Sequence, residues 1–415
     1  MKLSEELTWR GFVNQMTFAN IKDIDKQTWK FYHGYDCSAD SFTVGNLAGV
    51  MFDKVLMRHG NTAFILAGGA TSLIGDPGGK DAERPLQDEK VIARNVAGVE
   101  VQLRKILSGY DFTMLNNLDW TKSMDVLTFM RDIGKHFGMT TLLQRDYIAR
   151  RLGEGGSGIS YTEFSYTLLQ AMDFLHLYDK YGITLQVGSS DQWSNCVGGI
   201  DLIRRARNAE AYVFTHPLVI NKKTGRKFGK SEAGESVWLD PKRTSPTQFY
   251  QFWVNTDDAY VEEFLKIYTE LDKPAVDKLM AKQKESPKER SAQRRLAQEV
   301  TLIVHGNAEL LIAETITDVL TGKTQVANLP QPVLDAMADE IPVTKAKVGD
   351  EIADVLAKSG LVSSKTEARR LLNNKAITIN GKKAGQEKLQ KSDFLNGRLL
   401  LRKGKAFKDS ALVEL

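Results

Sequence analysis

The chain lacks several things, and each absence excludes a class of protein. Only two of its 415 residues are cysteine, Cys37 and Cys196. Two cysteines make neither a disulfide framework nor a cysteine-based zinc site. No uncharged apolar run is long enough to span a bilayer. Glu5 and Glu6 stand where a secretory signal needs an apolar stretch. Repeats and low-complexity segments are absent, which excludes collagen-like, coiled-coil and wholly disordered chains. A cytoplasmic protein with no membrane attachment is the expectation, because a reducing compartment suits free cysteines.

The composition that remains is globular, 42% hydrophobic and 26% charged. A length of 415 residues exceeds one ordinary domain, so two or three are expected. The formal net charge is a mild +4, unevenly spread. Residues 346–415 carry fifteen Lys and Arg against eight Asp and Glu, a net of +7, which leaves −3 on the rest. A basic tail on a slightly acidic body suits a polyanionic partner; a solvated lysine-rich surface accounts for it equally well.

The first half alternates strand and helix patterns. Residues 31–36 read as a strand, followed by a helix with Val44, Leu47, Ala48, Met51 and Val55 on one face, ending near Gly60-Asn61. Residues 63–67 and 183–187 read as buried strands running into Gly68-Gly69 and Gly188-Ser189. Such alternation predicts an α/β fold with a doubly wound parallel sheet, whose ligands bind beyond the carboxyl ends of the strands. After about residue 245 the pattern turns helical, with a capping box at Ser286-Pro287-Lys288-Glu289 expected to open a helix. Pro330, Pro332 and Pro342 mark an expected linker. The last 70 residues read helix, helix, hairpin, with a second capping box at Ser364–Glu367 and a tight turn at Asn380-Gly381.

Four segments carry candidate chemistry. In Cys37–Asn46, Gly45 lies in an opening helical turn, where it weakens the helix unless something approaches the backbone. A helix N-terminus with Ser38, Thr43 and Gly45 suits phosphate, although an ordinary capped helix explains it too. Lys227-Phe228-Gly229-Lys230-Ser231 nearly matches a P-loop, but Gly225 to Gly229 leaves three intervening residues where the motif needs four. A lysine-dense glycine loop still suits a clamp on polyphosphate; a solvated basic turn is the plain alternative. Tyr166, Gln170 and Asp173 share one helical stripe, and Asp173 is the one charge between Phe164 and Leu177, so a buried carboxylate in a polar pocket or network is expected. In Gly75–Arg84, Asp76 ends an uncharged stretch, and Lys80 and Arg84 are able to meet an anion.

Together these segments resemble tyrosyl-tRNA synthetase of the bacterial type, a class I aminoacyl-tRNA synthetase. The resemblance rests on Gly68–Thr71, Leu73–Pro77, Thr162–Tyr166, Leu169–Ala171, Ser190–Trp193, Lys227–Ser231 and Phe249–Trp253, in the family's order. The tail around Ser364–Leu371 and Ile379–Gly381 resembles an S4-type RNA-binding domain. The resemblance implies a Rossmann-like catalytic domain over 1–217 with a helical insertion, a phosphate-clamp segment over 218–245, and an α-helical anticodon-recognition domain over 246–323. A linker over 324–345 and a small α+β S4-like domain over 346–415 follow.

The implied activity joins tyrosine to ATP as tyrosyl-adenylate, then passes the tyrosyl group to tRNA(Tyr). Carried over by position, Tyr32 and Asp173 would bind the phenol hydroxyl, Asp76, Tyr166 and Gln170 the ammonium, and Gln192 would lie near the carboxylate. Gly34, Asp36, Gly45, Gly188 and Asp191 would shape the ATP site. Lys227 and Lys230 would clamp the phosphates, with Lys80, Arg84, Ser38, Thr43 and Asn46 nearby; Lys365, Arg369, Arg370 and Lys382 would face RNA. Mg²⁺ would arrive with ATP, no tightly bound cofactor and no protein-only metal site are expected, and a homodimer is implied.

One departure stands out. The family's first signature, His–apolar–Gly–His, reads Thr43-Val44-Gly45-Asn46. Losing one preorganised donor can remove about 3 kcal/mol of transition-state stabilisation. Asn46 keeps an amide donor, and His33 stands where the family often has Cys, a candidate ribose contact. The signature motivates one alternative, a catalytically impaired paralogue that binds tyrosine or RNA. A tryptophan-specific relative is the other; Tyr32 with Asp173 suits a phenol better than an indole.

Overall fold

The computed structural model describes residues 1–76, 86–143, 146–153, 156–220, 228–229, 236–324, 326, 329–404 and 409–415. The chain divides into two compact units, residues 1–245 with 252–304, and residues 246–251 with 305–415.

The first unit is built on a six-stranded sheet. Its strands are β1 (Gln15–Met16), β2 (Lys30–Tyr35), β3 (Thr62–Ala67), β4 (Phe112–Asn116), β5 (Leu185–Ser189) and β6 (Tyr212–His216), ordered β1-β6-β5-β2-β3-β4. β1 runs antiparallel on the edge; every other pairing is parallel. The order reverses between β2 and β5, the switch point where helices leave to opposite faces and a crevice opens. β3 is apolar and buried after its first residue, as a central parallel strand must be.

Helix α1 is Leu3–Arg10; α2 is Val44–Arg58, α3 Gly69–Ile74, α4 Glu89–Ile106, α5 Tyr161–Tyr181 and α6 Trp193–Arg207. α2 buries twelve of its fifteen residues, including Asp53 and Lys54. α5 starts at a complete capping box, Ser160 with Glu163, and stops at Gly182 in the left-handed region (φ 65°). Its inner face joins Tyr32, Phe64 and Leu202 in one core. Gly199 of α6 lets α5 approach: a Cβ there would lie 2.8 Å from the Phe174 ring.

The capping box expected at Ser286–Glu289 does not open an α-helix. Pro287–Glu289 is a 3₁₀ turn, Arg290 takes φ 50°, and α7 begins only at Ser291 and runs to His305. The reason is tertiary: the Arg290 guanidinium donates to the carbonyls of Val254 (2.9 Å) and Thr256 (2.8 Å).

In the second unit, α8 (Asn307–Leu320) and α9 (Gln331–Glu340) precede β7 (Val343–Lys345), α10 (Ile352–Lys358) and α11 (Lys365–Asn373). β8 (Thr378–Ile379), β9 (Lys382–Lys383), β10 (Arg398–Arg402) and β11 (Ser410–Glu414) complete a five-stranded sheet, β7-β11-β10-β8-β9. Asn380 (φ 49°) and Gly381 (φ 81°) form the turn of the β8–β9 hairpin, with both residues left-handed. The stretch expected to be a linker carries α9 and β7. Val333, Leu334 and Met337 pack with Leu400 and Leu412 of the sheet, and β7 pairs in parallel with β11. Prolines here start a helix and do not loosen the chain: Pro330 caps α9 and Pro332 lies in its first turn.

Candidate functional site

A cavity of about 410 Å³ opens at the β2/β5 switch point, within the usual range for small-ligand sites. Its walls come from β2, the N-terminal half of α2, β3, α5, β5 and the turn after β6.

One end is a pocket around α5. Asp173 is 2% exposed and accepts hydrogen bonds from Asn117 Nδ2 at 2.9 Å and Trp120 Nε1 at 2.8 Å. Burial pushes its carboxyl up to about 7, against the pull of those two donors. Tyr32, fully buried, also lines this pocket, and its hydroxyl has no partner among the described residues. Gln170 Oε1 and Gln186 Oε1, both lining residues, are buried and unpartnered in the same way. Buried polar atoms are normally satisfied, so three such atoms around one cavity mark the place of a polar ligand.

At the adjoining wall, Tyr166 donates to Asp36 Oδ1 at 3.2 Å, and Gln192 Nε2 donates to Asp76 Oδ2 at 2.6 Å. Asn195 Nδ2 holds the other end of the Gln192 amide at 3.3 Å. Tyr166 stays a phenol, since burial and then Asp36 raise its ionisation well above the usual range. The stripe expected from spacing, Tyr166, Gln170 and Asp173, therefore faces one cavity.

The other end lies over the N-terminus of α2. Asn46 Oδ1 accepts from the Thr43 backbone N–H (3.0 Å) and hydroxyl (2.9 Å). Its carbonyl is thereby spent on the cap, and its amide NH₂ is the end left for a ligand. Gly45 was expected to admit a phosphate against its backbone. Part of that space is occupied by protein, because a Cβ at Gly45 would lie 3.3 Å from the Phe228 carbonyl oxygen. Phe228 is anchored by Phe252, Trp253, Phe264 and Tyr268. Gly229 beside it takes φ 117°, a conformation that glycine adopts without strain.

Of the sequence-predicted residues, Tyr32, Gly34, Asp36, Thr43, Gly45, Asn46, Asp76, Tyr166, Gln170, Asp173, Gly188, Asp191 and Gln192 all line the cavity. Ser38 does not: it is exposed, and its carbonyl accepts from Gln87. Lys80, Arg84, Lys227 and Lys230 lie outside the described residues. In the second unit Lys365, Arg369, Arg370 and Lys382 are exposed, with Lys365 paired to Asp354 and Arg369 to Glu351. Sequence reading missed Asn117, Trp120, Gln186 and His216. Asn117 is the completely buried member of the Asn116-Asn117 pair that ends β4, and an amide pair at a strand's carboxyl end was the available signal. Among the described residues no group of three His, Cys, Asp or Glu is arranged to hold a metal.

Comparison with known proteins accords with this geometry. A family model described as "tRNA synthetases class I (W and Y)" matches residues 25–320, and one described as "Tyrosine--tRNA ligase SYY-like C-terminal domain" matches 334–408. The chain is 41% identical over 426 residues to tyrosine–tRNA ligase 2 of Bacillus cereus, covering 100% of both chains. It is 39% identical to tyrosine–tRNA ligase of Roseiflexus castenholzii, covering 97% of each. Among solved structures, a C-terminally truncated mitochondrial tyrosyl-tRNA synthetase of Aspergillus nidulans superposes with TM-score 0.68 at 29% identity, over 76% of this chain and 93% of that one. Parallel sheet, switch-point cavity and sequence matched over full length converge: the chain belongs to the class I tRNA synthetases of the tryptophan and tyrosine group, with the C-terminal domain of the tyrosine–tRNA ligases.

Proposed function

We propose that this protein is a tyrosine–tRNA ligase. It activates L-tyrosine with ATP, supplied as its Mg²⁺ complex, releases pyrophosphate, and transfers the tyrosyl group to the 3′ end of tRNA(Tyr). One observation carries the amino-acid specificity: the Tyr32 hydroxyl, buried without a described partner in the pocket that holds Asp173. A phenol accepts from Tyr32 and donates to Asp173. Phenylalanine leaves the Tyr32 hydroxyl without a partner and gives Asp173 no donor beyond Asn117 and Trp120, and an indole has no acceptor for Tyr32.

In this reading Asp76, Tyr166 and Gln170 receive the ammonium and Gln192 neighbours the carboxylate. Gly34, Asp36, Gly45, Gly188 and Asp191 shape the nucleotide site. Attack of the carboxylate on the α-phosphate puts charge on the departing pyrophosphate. Asn46, Thr43 and the lysines Lys80, Lys227 and Lys230, with Arg84, oppose that charge; positioned donors supply such catalysis without a general base. Residues 1–217 are the catalytic domain, 218–245 the clamp, 246–323 the anticodon-recognition part and 346–415 the RNA-binding part. A homodimer completes the assembly, and exposed Val126 (70%) and Leu127 (80%), between β4 and α5, suit cover by a second copy. Tyrosine-dependent ATP–pyrophosphate exchange and tyrosyl-tRNA formation test the proposal. Activity no higher than that of a Lys230→Ala variant rejects it and favours the impaired paralogue.

A further inference from the structure

Beneath the nucleotide end of the cavity lies a buried cluster that the proposed roles leave unused. Asp53 of α2 is 0% exposed, and His33 of β2 is 5% exposed. His33 Nδ1 and Asp53 Oδ1 are 2.8 Å apart, and the Tyr35 hydroxyl donates to Asp53 Oδ2 at 2.6 Å. An ionised carboxylate only accepts, so the Nδ1 of His33 carries the hydrogen. The ring's other nitrogen, Nε2, has no described partner, and His33 lines the cavity.

The surroundings are built for this ring. Gly49 stands mid-helix in α2, where glycine is unfavourable by about 1 kcal/mol against alanine. A Cβ there would lie 3.2 Å from His33 Cε1 and 3.3 Å from the Tyr35 hydroxyl. The ionisable groups near His33 come from each neighbouring element: Tyr35 of β2, Asp53 of α2, His216 at the end of β6, and Asp191 beyond β5, which acts on His216. His216 is held neutral, pushed down to about 4 by burial. Asp53 is thus the carboxyl group bonded to the ring.

We propose that Asp53 is a positioning residue that fixes His33 in the tautomer whose Nε2 accepts a hydroxyl hydrogen from the bound nucleotide, so that an imidazole from β2 contributes to nucleotide binding in a chain whose α2 signature has no histidine. This rests on the ATP-dependent reading of the site. The same division of labour operates wherever a buried aspartate orients a histidine. Asp53→Asn is nearly isosteric but breaks it. With the Tyr35 hydroxyl donating to the amide oxygen, the amide NH₂ faces Nδ1 and forces the hydrogen onto Nε2, turning the acceptor into a donor.

The test compares ATP with 2′-deoxy-ATP and 3′-deoxy-ATP in tyrosine-dependent pyrophosphate exchange by wild type, Asp53→Asn and His33→Asn. His33→Asn keeps an amide donor toward Asp53 and lacks Nε2, so it carries the test if Asp53→Asn does not fold. In wild type, one deoxy analogue is expected to raise KM about five- to tenfold over ATP, the scale of one hydrogen bond. Both variants are expected to raise KM for ATP by a similar factor, leave KM for tyrosine within about twofold, and lose the discrimination. Folded variants that discriminate as wild type does overturn the proposal. If wild type shows no exchange, the ligase reading fails by itself, and calorimetric binding of the three nucleotides to the same proteins decides the pair: discrimination lost in the variants supports it, and discrimination unchanged or absent overturns it.

Discussion

Asn117 Nδ2 donates to Asp173 Oδ2 at 2.9 Å, and the same amide reaches Thr71 Oγ1 at 3.2 Å. The bond ties the carboxylate on α5 to the end of β4 and to α3. It holds Asp173 in one place while burial raises its proton affinity to about 7.

That affinity gives tyrosine binding a pH dependence. In the proposed site the phenol donates to the carboxylate form, which is about one tenth of the population at pH 6 and about nine tenths at pH 8. Tyrosine affinity is expected to rise by up to about tenfold over that interval, and the slope to vanish in Asp173→Asn. Calorimetric titration at several pH values measures it. The stability sign is opposite. With the folded pKa above the unfolded one, Asp173 contributes stability that is full below the unfolded value and lost as pH rises through about 7.

Tyr32→Phe separates stability from binding. The hydroxyl is buried and without a described partner, so its removal relieves a group worth roughly 1 kcal/mol or more of destabilisation. Unliganded protein is expected to melt no lower than wild type. Tyrosine affinity falls about tenfold, and discrimination against phenylalanine narrows. A variant that melts several degrees lower and binds tyrosine normally would show that the hydroxyl serves the fold.

Gly229→Ala tests the anchor of the proposed clamp segment. At φ 117° a side chain is strained by about 1–3 kcal/mol, and its Cβ would lie 3.2 Å from Val44 Cγ2 and 3.3 Å from the Gly45 nitrogen. Pyrophosphate exchange should slow by about tenfold or more while tyrosine affinity holds, since the pocket around α5 is untouched. Fluorescence titration with stopped-flow kinetics separates the two.

Arg10→Met probes the other side of the catalytic unit. Arg10 is 2% exposed and donates to Glu6 (2.7 Å) and to the carbonyls of Lys266 (2.6 Å), Thr269 (2.8 Å) and Leu271 (2.9 Å). Removing one partner of a buried ion pair is expected to destabilise by about 3–5 kcal/mol in urea unfolding. Burial raises the Glu6 pKa, but bonds from His59 and Arg10 outweigh it and the net shift is downward. Glu6 therefore stabilises above its unfolded pKa and loses that contribution as pH falls through the folded value. The variant's deficit should shrink in acid.

Arg370→Glu with Lys382→Glu tests the basic tail. Both residues are exposed on the second unit. If they meet phosphates, the salt dependence of tRNA binding should flatten by roughly 0.7–0.9 in log–log slope per lost contact, with pyrophosphate exchange unchanged. An unaltered slope in filter binding would mark the charge as surface solvation.

Much of this was legible in one dimension. A strand pattern over 31–36 located β2, apolar runs ending in glycine located β3 and β5, and a stripe without Lys or Glu placed Tyr166, Gln170 and Asp173 in one cavity. Asn380-Gly381 named its own turn. The partners of Asp173 were not legible, because Asn117 and Trp120 lie 56 and 53 residues away and join it only when β4 docks beside α5. Nor was the failure of the Ser286 capping box, where carbonyls of residues 254 and 256 draw Arg290 out of a helix that local propensity favours. Prolines suggested a linker; a shared apolar core made that stretch a helix and a strand.

Sequence alone determined what is periodic and local: a parallel α/β sheet, a helix stripe carrying the buried Asp173, a hairpin, and motif runs in one order that identify the family. Those features depend on neighbours within a few positions, where side-chain spacing decides which face is buried. Tertiary structure alone decided which polar atoms are satisfied. It left the Tyr32 hydroxyl open, bound Asp173 on both oxygens, set the Phe228 carbonyl over Gly45, and brought His33 to Asp53. Hydrogen bonds are short and directional, so their partners exist only once distant segments have packed.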